Sequence, residues 1–217
     1  MSDTTPPETR DQNPSVTPRY VKALRPDSLE RMRRTFHRMN HLMVLAWRLG
    51  FGPVLNMWPA VGGRILVLVH TGRKSGNRYH TPLNYAPDGD VLYCLVGLGP
   101  RTDWYRNVMV EPNVEVWLPT GRWSGVTHDT TDDPDRSARM RKVLIASGFA
   151  AWALGLHPKR MSDEEVEEAT RTYRLVRIVK TERLPGPGDL AWVWLIPLLS
   201  SMIRRARARK ATMNRAR

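Results

Sequence analysis

The apolar positions near the start of the chain follow a helical period. In residues 27–50 they recur every three or four residues, as on one face of an α-helix. This apolar stripe consists of Leu29, Met32, Phe36, Met39, Met43 and Trp47. Asp27 and Glu30 have the spacing of a capping box, and Gly50 follows the last stripe position. We therefore predict a basic amphipathic helix from Asp27 to near Gly50, which either packs its stripe on its own domain or lies on anionic lipid.

From residue 64 onward the pattern changes to short β-rich or alternating runs separated by turn residues. These runs predict strands at 65–70, 78–86, 91–97, 114–118, 122–130 and 173–182. Helical patterns cover 102–110, 133–154 and 162–170. Because hairpin turns join most of the strands, the pattern predicts a mainly antiparallel sheet or barrel with a few helices, an α+β class. No G-x-G-x-x-G sequence opens a helix, which disfavours a Rossmann fold.

Composition divides the 217 residues into four parts. Residues 1–20 are polar and Pro-rich, which predicts disorder. Residues 21–61 hold the amphipathic helix and a connection, and residues 62–184 form the predicted barrel domain. Residues 185–217 form an extension that is first apolar and then rich in arginine.

Cysteine and histidine usage excludes several classes of protein. Cys94 is the only cysteine, so an intrachain disulfide is excluded and a reducing compartment is favoured. The polar first twenty residues lack the apolar run of a secretory signal, so we expect a cytoplasmic location. His37 and His41 are four residues apart, but the glutamate of a zinc-protease motif is absent between them. We expect no metal site.

The net charge of +13 is concentrated at the ends of the chain. The last fourteen residues carry +7, whereas residues 62–184 carry only +3. Residues 190–203 are uncharged, contain two Trp, and are too short to cross a bilayer. Together with the basic tail they predict peripheral association with the anionic inner face of the cell membrane; the alternative is a helix docked on the domain. Nucleic-acid binding is disfavoured because the barrel is nearly neutral.

A basic glycine turn carries the clearest chemical signal. Gly72 and Gly76 bracket Arg73, Lys74 and Ser75, and Arg78 follows. Backbone N–H groups, a hydroxyl and cations in one tight turn suit an anionic ligand such as a phosphate. The turn is not a Walker A loop, because no helix follows it.

Further motifs follow this turn in a fixed order. They are Thr81-Pro82-Leu83 on a strand, an Asp-Gly turn, W-Y-x-N at 104–107, and P-x-V at 112–114. The combination, over roughly residues 62–180, resembles the deazaflavin-dependent nitroreductases of actinobacteria and their quinone-reducing relatives. The resemblance implies a split β-barrel of the flavin-reductase and pyridoxamine-oxidase type, and coenzyme F420.

The resemblance also implies roles for individual residues. Arg73, Lys74 and Ser75 would hold the phosphate and glutamate tail of F420, and the loop 96–99 would approach the deazaflavin ring through its backbone. The implied cofactor-binding residues are Gly72, Arg73, Lys74, Ser75, Gly76, Arg78, Thr81, Pro82, Val96, Gly97, Gly99, Trp104, Tyr105 and Asn107. Trp104, Tyr105 and Asn107 would pin the loop, and Trp104 would line the ring or phosphate region; the alternative for Trp104 is a core aromatic. The loop is shorter than in many members, and Arg101 would replace a missing cation.

The implied reaction is hydride transfer from reduced F420 to a quinone-like or nitroaromatic acceptor. Strand alternation places Tyr79 and Tyr85 on one face and His80 on the other, and all three are candidates for the acceptor side. A surface tyrosine pair is the alternative. Two other functions stay open: an FMN-binding split-barrel flavin reductase or oxidase, and a non-catalytic membrane- or nucleic-acid-binding module. A homodimer is one option for the oligomeric state.

Overall fold

The computed structural model describes most of the predicted barrel domain and its flanking helices. It covers residues 39–153 and 155–186, and individually residues 190, 193, 196, 197 and 201. The predicted disordered segment 1–20 and the start of the first helix lie outside the described residues, as does most of the C-terminal extension.

Six antiparallel strands form a closed barrel. They are β1 (Ile65–Thr71), β2 (Arg78–Asp88), β3 (Val91–Val96), β4 (Asn113–Leu118), β5 (Gly121–Asp129) and β6 (Arg174–Leu184). Around the barrel the order is β1, β2, β3, β6, β5, β4. The predicted mainly antiparallel α+β barrel is thereby confirmed, and every strand ends within two residues of its predicted limits.

Within residues 39–153 and 155–186, seven helical segments surround or enter this barrel. They are α1 (39–48), α2 (Gly52–Leu55), α3 (Pro59–Gly62), α4 (Asp103–Val108), α5 (Arg136–Ala146), α6 (Phe149–Ala153) and α7 (Asp163–Ala169). Of the helices in the described ranges, none has the length and apolar character needed to cross a bilayer.

Alternate residues of the strands point into the barrel and form its main core. Leu66 and Leu68 of β1, Cys94 of β3 and Ile178 of β6 belong to this cluster and are fully buried. Helix α4 packs Trp104, Tyr105 and Val108 into the same interior, so it acts as a plug. This plug brings the start of α4 to the barrel end where the glycine turn lies.

Two further clusters cover the outside of the barrel. Helices α5 to α7 pack on the outer face of β3 and β6, where Tyr93 and Leu175 are buried. Trp47 of α1 packs with Val67, Val69 and Trp117 on the outer face of β1 and β4. The end of the apolar stripe on α1 therefore packs on its own domain, as the first of the two alternatives predicted.

The first helix ends where its sequence predicts. Gly50 has φ +89°, and its N–H donates to the carbonyl of Trp47 at 3.0 Å. The N–H of Phe51 donates to the carbonyl of Ala46 at 2.9 Å. These two bonds form a Schellman motif, which requires a residue with positive φ at the position of Gly50.

The helix predicted over 133–154 is wrong in its extent. It begins at Arg136, and Gly148, at φ +55°, separates α5 from α6. A Cβ at Gly148 would lie 2.7 Å from the backbone nitrogen of Gly63, so the break lets two backbones touch. The short helices α2 and α3 were not predicted, and each has a Pro in its first turn.

Candidate functional site

The glycine turn between β1 and β2 is closed by its own backbone. The N–H of Gly72 donates to the carbonyl of Asn77 at 2.8 Å, and the N–H of Gly76 donates to the carbonyl of Gly72 at 2.8 Å. Gly76 has φ +68°. A Cβ at Gly72 would lie 2.5 Å from the ring of Tyr79, so both glycines are needed for this conformation.

Arg73 braces this turn against α4. Its backbone N–H and its Nη1 donate to Oδ1 of Asn107 at 3.2 and 2.8 Å, and its Nη2 pairs with Asp103 at 3.0 Å. The guanidinium is mostly buried. The side chain of Arg73 is therefore occupied in fixing the turn, which the sequence did not predict.

Asn107 connects the turn to a buried histidine. Because Oδ1 of Asn107 accepts both bonds from Arg73, its Nδ2 donates to Nδ1 of His70 at 3.2 Å. The proton of the imidazole is then on Nε2, which donates to Oγ1 of Thr81 at 3.0 Å. Burial, with help from the nearby His80, lowers the pKa of His70 to about 4, so its imidazole is neutral near pH 7.

The sequence analysis does not predict His70 as a site residue. The signal that could have found it is strand alternation: His70 lies two residues after Leu68 on the inward face of β1 and directly before the turn. Thr81, which was predicted in the site, accepts its hydrogen bond. Pro82, which was also predicted in the site, is half-buried and lies opposite Val67 in the pairing of β2 with β1, so it is part of the barrel wall.

The other cations of the turn differ in how far they are neutralised. Lys74 is exposed and makes no hydrogen bond or ion pair within the part of the chain that the structure describes. Arg78 donates to Glu115 at 2.6 Å, and Glu115 also accepts bonds from Arg122 and Trp117. Burial alone would raise the pKa of Glu115, but these bonds outweigh burial and lower it. Lys74 therefore supplies the free positive charge of the turn.

The loop before α4 is compact and held by local bonds. The N–H of Gly99, at φ +76°, donates to the carbonyl of Val96 at 3.0 Å, and Oγ1 of Thr102 donates to the carbonyl of Gly99 at 2.8 Å. Val96 itself is in the barrel core, and Gly97 is half-buried. Leu98, Pro100 and Arg101 are exposed, so the loop presents two apolar side chains and one cation.

The aromatic pair of the W-Y-x-N motif lies in the core. Trp104 and Tyr105 are both buried in the barrel cluster, and the hydroxyl of Tyr105 donates to Asp129. Burial raises the pKa of Tyr105 to about 12, and the adjacent carboxylate adds to the shift. In the structure Trp104 is thus a core aromatic that anchors α4, as the alternative interpretation predicted, and does not line an open site.

The three acceptor-side candidates have different environments. Tyr79 is 45% exposed, its ring stacks on His70 with centroids 5.9 Å apart, and its hydroxyl lies 3.1 Å from Oγ of Ser75. Tyr85 shares the face of Tyr79 but is buried in the barrel core. His80 points to the opposite face, where its ring lies 5.0 Å from that of Trp117. Only Tyr79, of these three, lies exposed beside the turn.

Several solved structures match the chain at low similarity. An FAD-binding protein from Mesorhizobium loti has 16% identity, covering 59% of this chain and 89% of that one, with a TM-score of 0.40. A protein of Listeria innocua assigned as a pyridoxamine 5′-phosphate oxidase has 13% identity. The match covers 55% of this chain and 85% of that one, with a TM-score of 0.38. A heme storage protein from Vibrio cholerae has 13% identity. The match covers 63% of this chain and 94% of that one, with a TM-score of 0.41.

The family comparison is more specific than these structural likenesses. No curated protein matches the chain significantly. The family model of the F420H(2)-dependent quinone reductases matches residues 43–157, which is just over half of the chain. The matched range contains the glycine turn, the loop before α4 and the W-Y-x-N motif. The chain therefore belongs to the F420H(2)-dependent quinone reductase family, as the ordered motifs predict.

Proposed function

We propose that the chain transfers a hydride from reduced F420 to a quinone at the membrane surface, with nitroaromatic compounds as incidental acceptors. The family match supports the cofactor and the class of reaction. The structural observation that carries the proposal is the glycine turn: Asn107 holds Arg73, while Lys74 is exposed and has no ion-pair partner among the described residues.

The residues of the turn fit the anionic part of F420, which has a phosphodiester and an oligoglutamate tail. Lys74 offers an ammonium group, and Ser75 an exposed hydroxyl. A Cβ at Gly76 would meet nothing within 4 Å, so the outer side of the turn is open to a ligand. This donor set suits a phosphate or carboxylate group.

The contacts within the turn support different binding roles for its residues. Lys74 and Ser75 would contact the anionic groups of F420, whereas Arg73, with Asp103 and Asn107, holds the turn in shape. Arg78 would contribute less than a free cation because its charge is partly balanced by Glu115. When bound, F420 supplies the hydride that reduces the acceptor.

The loop 97–102 and Tyr79 would organise the reaction around the deazaflavin. The loop can approach a flat ring through its backbone because Gly97 and Gly99 carry no side chain. Leu98 would help to exclude water from the ring. The hydroxyl of Tyr79, paired with that of Ser75, is the group best placed to hold or deliver a proton on the acceptor side.

The proposed membrane location suits a lipophilic quinone. It depends on the apolar residues 190–203 and the basic tail that follows, most of which lie outside the described residues. Each cation near an anionic leaflet contributes about 1 kcal/mol to binding. The enzyme would thereby meet its acceptor where the acceptor is dissolved.

The reaction is tested by mixing the full chain with reduced F420 and menadione and following the return of oxidised deazaflavin absorbance. We expect turnover well above the protein-free rate, and a raised KM for F420 in Lys74→Ala. The matched control is Lys159→Ala, an exposed lysine outside the turn. A rate equal to the protein-free control, with FMN supporting turnover instead, would establish the flavin alternative.

The membrane location has a separate test. Deletion of residues 186–217 should reduce binding to anionic vesicles while sparing turnover of menadione, which is soluble. If vesicle binding is unchanged by the deletion, the extension does not contact the membrane.

A further inference from the structure

An open cavity lies outside the barrel, away from the residues of the glycine turn. It has a volume of about 860 Å³ and is lined by residues of α3, α5, α6, β2 and the segment 156–160. Its floor is apolar and includes Leu144, Ala151 and Leu156. None of its lining residues belongs to the glycine turn or to the loop 97–102.

Among the described residues that line this cavity, every charged one is basic. They are Arg64, Lys142, Lys159 and Arg160, accompanied by His157. Lys142 pairs with Asp88 at 3.2 Å. Lys159 and Arg160 are exposed, and the structure records no ion pair for either among its described residues. The cavity thus has a positive rim, which favours an anionic partner.

The helices that flank the cavity expose large apolar side chains. On α3 and the residue before it, Val61 is 67% and Trp58 is 65% exposed. On α6, Trp152 is 59% and Phe149 is 58% exposed, and their rings lie 5.3 Å apart. Single exposed apolar residues are common on soluble proteins, but four large ones on two adjoining helices mark an interaction surface.

Backbone contacts join the end of α3 to the junction between α5 and α6. The N–H of Arg64 donates to the carbonyl of Ala146, the last residue of α5, at 2.7 Å. A Cβ at Gly63 would lie 2.7 Å from the carbonyl oxygen of Ser147, and a Cβ at Gly148 would lie 2.7 Å from the nitrogen of Gly63, so the backbones touch at this junction. The apolar side chains and the basic rim are therefore presented as one preformed surface.

We infer that this surface, made of Trp58, Val61, Phe149 and Trp152 with the basic rim of the cavity, docks on an anionic phospholipid bilayer. Trp residues favour the headgroup level of a bilayer, because their rings are apolar with one polar N–H. Lysine and arginine beside them attract anionic headgroups. A protein partner of this charge pattern would need a matching acidic surface, whereas an anionic leaflet matches both the apolar and the basic parts at once.

The inference adds a second membrane contact to the one proposed for the C-terminal extension. It does not depend on F420 turnover, so its failure would leave the proposed reaction untouched. The two contacts are distinguished by comparing the deletion of residues 186–217 with substitutions in the docking surface.

The test measures co-sedimentation of the full chain with vesicles of phosphatidylcholine, with and without phosphatidylglycerol. We expect binding only when phosphatidylglycerol is present. The double variant Trp58→Ser with Trp152→Ser should bind at least about tenfold more weakly, because the apolar area of the two Trp rings is no longer transferred from water to the bilayer. The matched control is Val110→Ser, which is 66% exposed and lies outside the surface; it should bind like the unmodified chain.

The basic rim is tested with a second pair of variants that removes no apolar area. Lys159→Glu with Arg160→Glu should weaken binding at least about fivefold per residue and reduce its dependence on phosphatidylglycerol. Arg171→Glu, at an exposed position that does not line the cavity, is the control. All substituted side chains are exposed, so we expect each variant to fold. A urea unfolding curve for each variant checks this.

Two results would overturn the inference. One is unchanged vesicle binding in both pairs of variants. The other is a dimer, detected by sedimentation velocity without vesicles, that Trp58→Ser with Trp152→Ser dissociates; a second copy of the chain would then cover the surface.

Discussion

Asn107→Ala gives the most direct test of how the glycine turn is built. Asn107 is buried and makes three hydrogen bonds: two from Arg73 to Oδ1, and one from Nδ2 to His70. The substitution removes all three at once and leaves the backbone N–H of Arg73 and Nδ1 of His70 without this partner. It removes no group that we expect to touch the cofactor.

The magnitude follows from the kinds of bond that are lost. The bond from the guanidinium at 2.8 Å is charge-assisted and contributes roughly 1.5–3 kcal/mol, and the two neutral bonds at 3.2 Å contribute about 0.5–1.5 kcal/mol each. Such terms do not add fully, and water can replace part of the bonding to Arg73. We therefore expect the free energy of unfolding to fall by about 2–4 kcal/mol.

The same variant should also bind F420 more weakly. If the turn loses its fixed shape, binding must order at least one residue again, at about 1–2 kcal/mol, which raises Kd about tenfold. Urea unfolding and titration of F420 fluorescence measure the two effects. Asn113→Ala is the control, because exposed Asn113 bonds only to the neighbouring Glu111, and we expect changes below about 0.5 kcal/mol. An unchanged Kd in Asn107→Ala, despite lower stability, would refute the assignment of the turn to the cofactor.

Three further predictions concern stability and reactivity. Burial lowers the pKa of His70 from 6.5 to about 4, so as the pH falls the unfolded chain takes up a proton at this residue before the folded chain does. The free energy of unfolding should therefore keep its full value above pH 6.5 and decrease as the pH falls toward 4. His70→Gln should flatten this part of the pH dependence in urea unfolding, and an identical profile would contradict the buried neutral form. Burial raises the pKa of Cys94 to about 12, so a disulfide thiol reagent should label it only in urea; rapid labelling of the native protein would contradict its burial. Gly148→Ala should destabilise the fold by about 2 kcal/mol or more, because its Cβ would lie 2.7 Å from Gly63, whereas Gly155→Ala, with open space around it, should cost only about 1 kcal/mol. Equal losses in a thermal melt would mean that the backbones at this break can separate.

The strands could be predicted from the sequence because their signal is local. Alternation along 65–70 and 78–86, with glycine and basic residues between them, specifies a hairpin without reference to the rest of the chain. The end of the first helix at Gly50 could also be predicted from local sequence, because the Schellman motif involves only residues near one another in the chain. The break at Gly148 could not be predicted, because its cause is the backbone of Gly63, far away in sequence.

The candidate site was predicted in part for the same reason. Arg73, Lys74 and Ser75 lie in one short turn, so their grouping is evident from sequence. The pattern could not distinguish the roles of Arg73 and Lys74, since that depends on Asn107, which is 34 residues along the chain. The core position of Trp104 likewise follows from α4 entering the barrel.

The barrel class, the family motifs and their order, the basic turn, and the concentration of positive charge at the ends of the chain are evident from the amino-acid sequence. The folded structure is needed to see which cations of the turn are paired among the described residues, why His70 is buried beside the turn, and where apolar side chains stay exposed on α3 and α6. The physical reason is that periodicity and turn chemistry act between near neighbours. Burial, charge neutralisation and exposure are set by residues that meet only when the chain has folded.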